Sequence, residues 1–294
     1  MKKLTVFTPS YNRAHLLPRL YESLCRQTSK DFLWLLIDDG STDDTKEWIE
    51  KWKEEGKIEI EYSYKENGGM HTAHNAAYSM IETELNVCID SDDYMPDDAI
   101  EKIMKEWDNI ADKSNIAGII GLDADKNGEI IGTKIPENLT KGSLMDLYNK
   151  HKVKGDKKLV LRTDIVREYP EYPEYDGEKL VPLGILYMMI GKDYDFLYSN
   201  DIYCIVEYQE EGSSSTIFRQ YKQSPKGFAY ARKIGKSYSA SFLHKFKNSI
   251  HIVSSAIFAN DLRMIFHKPQ MLLNIFAIPF GVLLNLYIRF KIKN

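Results

Sequence analysis

Leu85-Asn86-Val87-Cys88-Ile89-Asp90-Ser91-Asp92-Asp93 sets a short apolar run directly against a cluster of acids. Such a run suits a strand buried on both faces, the usual state in a parallel sheet. Three acids at the end of a buried strand repel one another unless a cation sits among them. Asp90 and Asp92, one residue apart, can hold one hard divalent ion together with phosphate oxygens. Mg²⁺ and Mn²⁺ bind in this way, through one or two carboxylates and retained waters. The same acids would also cap a helix beginning near Pro96. On these residues alone both readings stand.

The pattern repeats outward from this stretch. Residues 3–8 are an apolar strand candidate, and Leu16, Leu17, Leu20 and Leu24 then share a helix face, with Pro18 tolerated in its first turn. Residues 32–37 form a second continuous apolar run, broken by Asp38-Asp39-Gly40-Ser41-Thr42 and followed by a helix carrying Trp48, Ile49 and Trp52. Residues 58–64 alternate, which predicts a strand with one wet face. After Gly68-Gly69 come helices around Ala73–Ile81 and Ile100–Trp107, then a strand at 116–122. Alternating strands and helices with short connections predict an α/β fold with a mostly parallel central sheet covered by helices. Ligands of such sheets bind at the carboxyl ends of strands. Three polar clusters fall there: Pro9–Arg13, Asp38–Ser41 and Asp90–Asp93.

Each cluster has a plain reading and a chemical one. Asp38-Asp39-Gly40 makes a turn with Ser41 or Thr42 capping the next helix, and a carboxylate fixed there can also accept the N3–H of uracil. Tyr11 can stack on a base, and Arg13 can meet a phosphate or ribose. Asn67-Gly68-Gly69 allows a ligand close to the backbone or makes an ordinary turn. His74 and Asn75 face either the site or solvent.

Together, TPSYNRAHLLPRLYESLCRQT, LLIDDGSTDDT, KENGGMHTAHNAA and CIDSDDYMPDDAIE resemble the signature of glycosyltransferase family 2, of the Rossmann-like GT-A fold. The resemblance is strong over the first half of the chain and looser to about residue 218. It implies a nucleotide site of Pro9, Tyr11, Arg13, Asp38, Asp39, Asn67, Gly68, Asp90 and Ser91. It also implies that Asp90 and Asp92 form a DXD element holding Mn²⁺ or Mg²⁺ against the diphosphate of a UDP-sugar. Transfer then inverts the anomeric centre, and a carboxylate takes the acceptor proton. The family's Glu-Asp pair is altered here to Tyr175-Asp176-Gly177-Glu178-Lys179, so Glu178 is the first candidate base and Asp176 the second. The Gly-Glu-Lys text, like Glu207–Ser215, resembles bacterial surface-polysaccharide enzymes, and the latter is expected on the acceptor side.

Charge divides the chain. Of 39 basic and 43 acidic residues, 13 and one lie in 219–294, a net +12 that leaves −16 for residues 1–218. The expected domains follow that division: a catalytic domain over 1–218 (nucleotide-sugar half 1–95, acceptor half 96–218) and a basic amphipathic helical region over 219–294. Residues 269–288 carry no charge, and on a helix Gln270, Asn274, Gly281 and Asn285 make a thin polar stripe. This predicts a helix lying in an anionic membrane surface, and leaves room for a homo-oligomer through these helices. Nucleic acid is disfavoured, because the longest apolar stretch offers no cation to phosphates. Three scattered cysteines fit a reducing compartment, and the N-terminus has no leader pattern. The expected location is the cytoplasmic face of the membrane, peripheral or monotopic, with a lipid-linked saccharide acceptor. Two other functions fit parts of the text: an Mg²⁺ phosphohydrolase using Asp90 and Asp92, and a non-catalytic nucleotide-binding scaffold on a membrane.

Overall fold

The computed structural model describes residues 2–207, 216–239, 241–266 and 271–293. The first strands and helices run β1 (Leu4–Ser10), α1 (Leu17–Arg26), β2 (Phe32–Asp38), α2 (Thr45–Glu55), β3 (Ile60–Tyr64), α3 (Met70–Met80), β4 (Leu85–Cys88) and α4 (Ala99–Asp108). Then come β5 (Ile116–Ala124), β6 (Lys141–Gly142), α5 (Leu144–Asn149), β7 (Lys157–Arg162), α6 (Thr163–Val166), α7 (Gly184–Asp193) and β8 (Asp195–Ile205). Helices α8 (Ile217–Gln223), α9 (Pro225–Tyr238), α10 (Phe242–Phe258), α11 (Met271–Phe276) and α12 (Ile278–Lys293) complete the chain, with a 3₁₀ turn at Leu262–Phe266.

The strands form one sheet in the order β3-β2-β1-β4-β7-β5-β8-β6. Its first four strands are parallel, as the apolar runs require. β7 enters antiparallel between β4 and β5, and β8 returns parallel to β5. The antiparallel insertion has no signature in the text, because KKLVLR reads alike in either direction. Leu4, Val6, Trp34, Leu36, Val87 and Ile119 meet the apolar faces of α1 and α4 in one core. Tyr21, Trp34, Trp48 and Trp52 stack at one side of it, with Tyr21 and Trp52 rings 4.3 Å apart.

The chain divides into two compact units. The first comprises residues 1–67, 73–170 and 189–209, and holds the sheet; the second comprises 68–72, 171–188 and 210–294. In the second, α10 packs on α9 and α12. The polar stripe of α11 and α12 differs from its expected role. Asn274, Gly281 and Asn285 are the buried, packed side, not a water-facing one. Asn285 Nδ2 donates to the Ser254 carbonyl at 3.1 Å, and a Cβ on Gly281 would stand 2.4 Å from Val253. A small or hydrogen-bonding residue is what close helix contact needs here. Gln270, at the start of the stripe, lies outside the described residues, as does most of the 207–215 stretch.

Candidate active site

β1 lies between β2 and β4, so the three polar clusters emerge side by side at one edge of the sheet. Ser10 pairs with Asp38, and the Asp39 N–H donates to the Ser10 carbonyl at 2.8 Å. Ile89 N–H donates to the Phe7 carbonyl at 3.0 Å, which carries β4 on into the acidic turn. Asn12 has a left-handed backbone (φ 52°) that wraps the first loop onto the second. Its N–H donates to Ser41 Oγ at 2.9 Å, and its Oδ1 accepts the Thr42 N–H at 2.8 Å. Ser41 and Thr42 are therefore taken up by this loop. The residue that holds the start of α2 is Asp43, whose Oδ1 accepts both the N–H and the hydroxyl of Thr45.

The two neighbouring acids of the second cluster part company. Asp38 is spent inside the turn, where it accepts the Ser41 N–H at 2.7 Å and the Tyr62 hydroxyl at 2.8 Å. These two bonds tie Asp38 to the turn and to β3. Asp39 is buried and gripped by Lys65 Nζ at 2.8 Å and Asn67 Nδ2 at 3.1 Å. A carboxylate offers about four acceptor positions, so this grip still permits a further donor. Asn67 also donates to the Asp39 carbonyl at 2.7 Å. Gly40 (φ 87°) permits that closeness, because a Cβ there would stand 2.7 Å from the Asn67 nitrogen. Pro9 is buried in β1, whereas the Tyr11 ring beside it is 48% exposed and presents a face.

In the third cluster Asp90 and Asp92 are half-buried, and Ser91 is buried. Arg13 Nη1 sits 2.8 Å from Asp92 Oδ2, so this cation meets the acidic turn of its own chain rather than standing apart for a phosphate. Arg19, from α1, donates to the Asp92 carbonyl, pairs with Glu207 and lies over the Tyr94 ring at 5.1 Å. Asp93 is buried and accepts the Glu207 N–H at 3.3 Å. Burial, with the charges of Asp90, Asp92 and Asp123, pushes its carboxyl up to about 7 against the opposing pull of Lys158. Burial works to lower the Lys158 ammonium, yet Cys204, Asp123, Asp90 and Asp93 together hold it well above its usual range. Arg19, Asp123 and Lys158 were not singled out from sequence, and Asp93 was read only as the third acid of its cluster. Asp123, the one charged residue of the apolar run IAGIIGLDA, was the available signal.

Among the described residues no three His, Cys, Asp or Glu side chains converge on a metal cage. Two carboxylates at a turn with surplus negative charge do fit a hard cation that fills its shell with water and phosphate oxygens. His74 faces neither site nor solvent. It is buried edge-on to Phe7 at 5.0 Å, with Nδ1 3.2 Å from the Tyr78 hydroxyl and Nε2 3.6 Å from Cys88 Sγ.

The sequence model of glycosyl transferase family 2 matches residues 5–166. The chain belongs to that family. The chain is 36% identical over 105 residues to the chondroitin synthase of Pasteurella multocida (strain Pm70), covering 35% of this chain and 11% of that protein. It is 29% identical over 109 residues to the undecaprenyl-phosphate 4-deoxy-4-formamido-L-arabinose transferase of Serratia proteamaculans (strain 568), covering 36% of this chain and 33% of the relative. The matched segment thus spans a third or less of these relatives. Among solved structures, S. aureus TarS 1–349 in complex with UDP-GlcNAc gives a TM-score of 0.62 at 20% identity, over 95% of this chain and 80% of that one. The Pyrobaculum calidifontis mannosyltransferase PcManGT, in complex with GDP-Man and Mn²⁺, gives 0.58 at 17% identity, over 97% and 87%. These likenesses show the fold.

The acceptor-side candidates belong to the second unit. Glu178 Oε1 and Oε2 accept the Lys226 N–H at 3.0 Å and the Gly227 N–H at 2.9 Å. It therefore caps the start of α9, an employment that the expectation of a base did not foresee. Asp176, two residues earlier, is exposed. Gly68 also belongs to this unit, and its neighbour Gly69 (φ 96°) presses on the chain itself, because a Cβ there would stand 1.9 Å from the Lys179 carbonyl oxygen. At Gly69 the close backbone approach expected for a ligand is made to the loop of Glu178.

Proposed function

We propose that this family 2 glycosyltransferase transfers a hexose from a UDP-sugar, with inversion and with Mn²⁺ or Mg²⁺, to a hydroxyl of a lipid-linked saccharide. The product belongs to cell-surface polysaccharide synthesis at the cytoplasmic face of the membrane, where the enzyme is peripheral or monotopic. The observation that carries the donor reading is the pairing of an exposed Tyr11 ring with a rigidly held Asp39 on adjacent strand ends, beside Asp90 and Asp92. Tyr11 stacks on uracil, and Asp39 accepts its N3–H. Asp90 and Asp92 would hold the cation, with Asp90 and Ser91 bordering the ribose. When bound, the cation would offset charge growing on the departing diphosphate. With Asp92 engaged in that way, Arg13, its present partner, would be left to meet the phosphates.

The acceptor oxygen attacks the anomeric carbon as the bond to the diphosphate breaks on the opposite face. Its proton passes to a carboxylate. Both carboxylate oxygens of Glu178 are taken by backbone N–H donors at the start of α9, which favours exposed Asp176 for this role and leaves Glu178 as the anchor of the loop. Asp176→Asn should lower kcat at least ~100-fold with an unchanged Tm, whereas Glu178→Gln should lower Tm. A relative that acts on undecaprenyl phosphate supports a lipid-linked acceptor.

Calorimetry with UDP, GDP and ADP in Mn²⁺ tests the donor reading. UDP should bind most tightly, and Tyr11→Ala should weaken it by roughly tenfold, the lower range of base–aromatic stacking. Equal affinity for the three nucleotides overturns it.

A further inference from the structure

The second unit wears its apolar residues outside. Asn274 and Asn285 are buried and hydrogen-bonded: Asn274 Nδ2 donates to the Ile265 carbonyl at 2.8 Å, and its Oδ1 accepts Lys236 Nζ at 2.6 Å. With the polar side turned inward, Leu272, Phe276, Phe280, Leu283, Leu286 and Phe290 are left facing out, each at least half exposed. Beside them runs an apolar groove of about 540 Å³, lined by Phe242, Phe246, Leu272, Leu273 and Phe276, with Lys245 as its one charged residue. An apolar surface rimmed by charge marks an interaction site.

We propose that this face docks in the plane of an anionic lipid leaflet, with the groove receiving an acyl chain and the basic rim meeting headgroups. The proposal rests on the membrane part of the reading above and not on its chemistry. Three observations select the bilayer. First, among the described residues no helix is long and apolar enough to cross a membrane. Second, Lys245 lines the groove and exposed Lys291 and Lys293 follow Phe290 in the last turn of α12, while the one acid of 219–294, Asp261, is already paired with Arg263 at 2.8 Å. Anionic headgroups neutralise such a rim. Third, a second copy joined face to face would bring an identical basic rim against this one, and like charges oppose that contact.

Flotation of the whole chain with phosphatidylcholine vesicles, with and without phosphatidylglycerol, tests the assignment. The chain should float best on anionic vesicles. Phe276→Asp, Phe280→Asp and Leu283→Asp combined should cut the bound fraction at least ~10-fold on either vesicle. Lys291→Glu with Lys293→Glu should cut it about as much on anionic vesicles only. Tm and UDP affinity, measured in the same samples, should stay at the parent values, which separates lost docking from lost folding and from failure of the donor reading. Undiminished flotation of the triple variant overturns the proposal. So does a parent chain that ignores vesicles and sediments as a dimer which the triple variant dissolves.

Discussion

The two units solve the same packing problem with opposite materials. In the first, Trp34, Leu36, Val87 and Ile119 fill the interior, and polar residues gather at strand ends. In the second, Val253, Ala256, Ile265 and Ala277 form a small apolar core beside buried Lys236, Asn248, Ser249, Ser254, Asn274 and Asn285, while further large apolar side chains face out. That interior mixes an apolar core with small and hydrogen-bonded residues, so close contact between helices adds to the hydrophobic effect there. Such helices hold together by close contact and hydrogen bonding, as helices meeting an apolar medium do.

Four measurements sharpen or break that contrast. The largest effect is expected in the first unit, where Asp92→Ala should lower transfer ~10³-fold, the scale of a lost electrostatic stabiliser, with an unchanged Tm. EDTA should do the same reversibly; full activity in metal-free buffer would show that the acidic turn only shapes the loop.

The second unit should be the acid-sensitive one. Burial, aided by the Arg232 charge, lowers the His251 imidazole to about 4. Its folded pKa lies below the unfolded value of 6.5, so the unfolded chain binds more protons between these values. Stability should therefore be fully present above pH 6.5 and fall as pH drops towards 4, by up to about 3 kcal/mol at 1.36 per unit. His251→Phe should flatten that part of a urea-melt profile. An unaltered slope would show that first-unit carboxylates dominate the acid limb.

Next comes the close contact between α10 and α12. Gly281→Leu inserts a side chain where a Cβ already meets Val253 and the Ile250 carbonyl, and should cost about 1–3 kcal/mol in a denaturant melt. In an ordinary water-facing helix the same change would stabilise, so the sign of the result is the test. The smallest effect is expected at the outer face. Phe280→Asp should change folding stability by no more than ~0.5 kcal/mol, because its ring is half exposed, while making the chain more soluble. A larger loss would mean that the ring is part of the helical core.

The sequence determined the first unit from β1 to β5, and carried no reading of β6, β7 or β8. Runs such as FLWLLI and LNVCI can only be satisfied by burial on both faces, so parallel strands, their order of appearance and the polar clusters at their ends were legible from residue type and period. The family signature was legible for the same reason, since its residues lie within short stretches of chain. Tertiary structure decided what depends on long-range neighbours. It separated Asp38 from Asp39, gave Glu178 to the start of α9, drew Arg13 onto Asp92 and inserted β7 antiparallel. It also reversed the meaning of the stripe at Asn274, Gly281 and Asn285. Helical periodicity shows that polar residues share a face, but only the packing partner shows whether that face meets water or another helix.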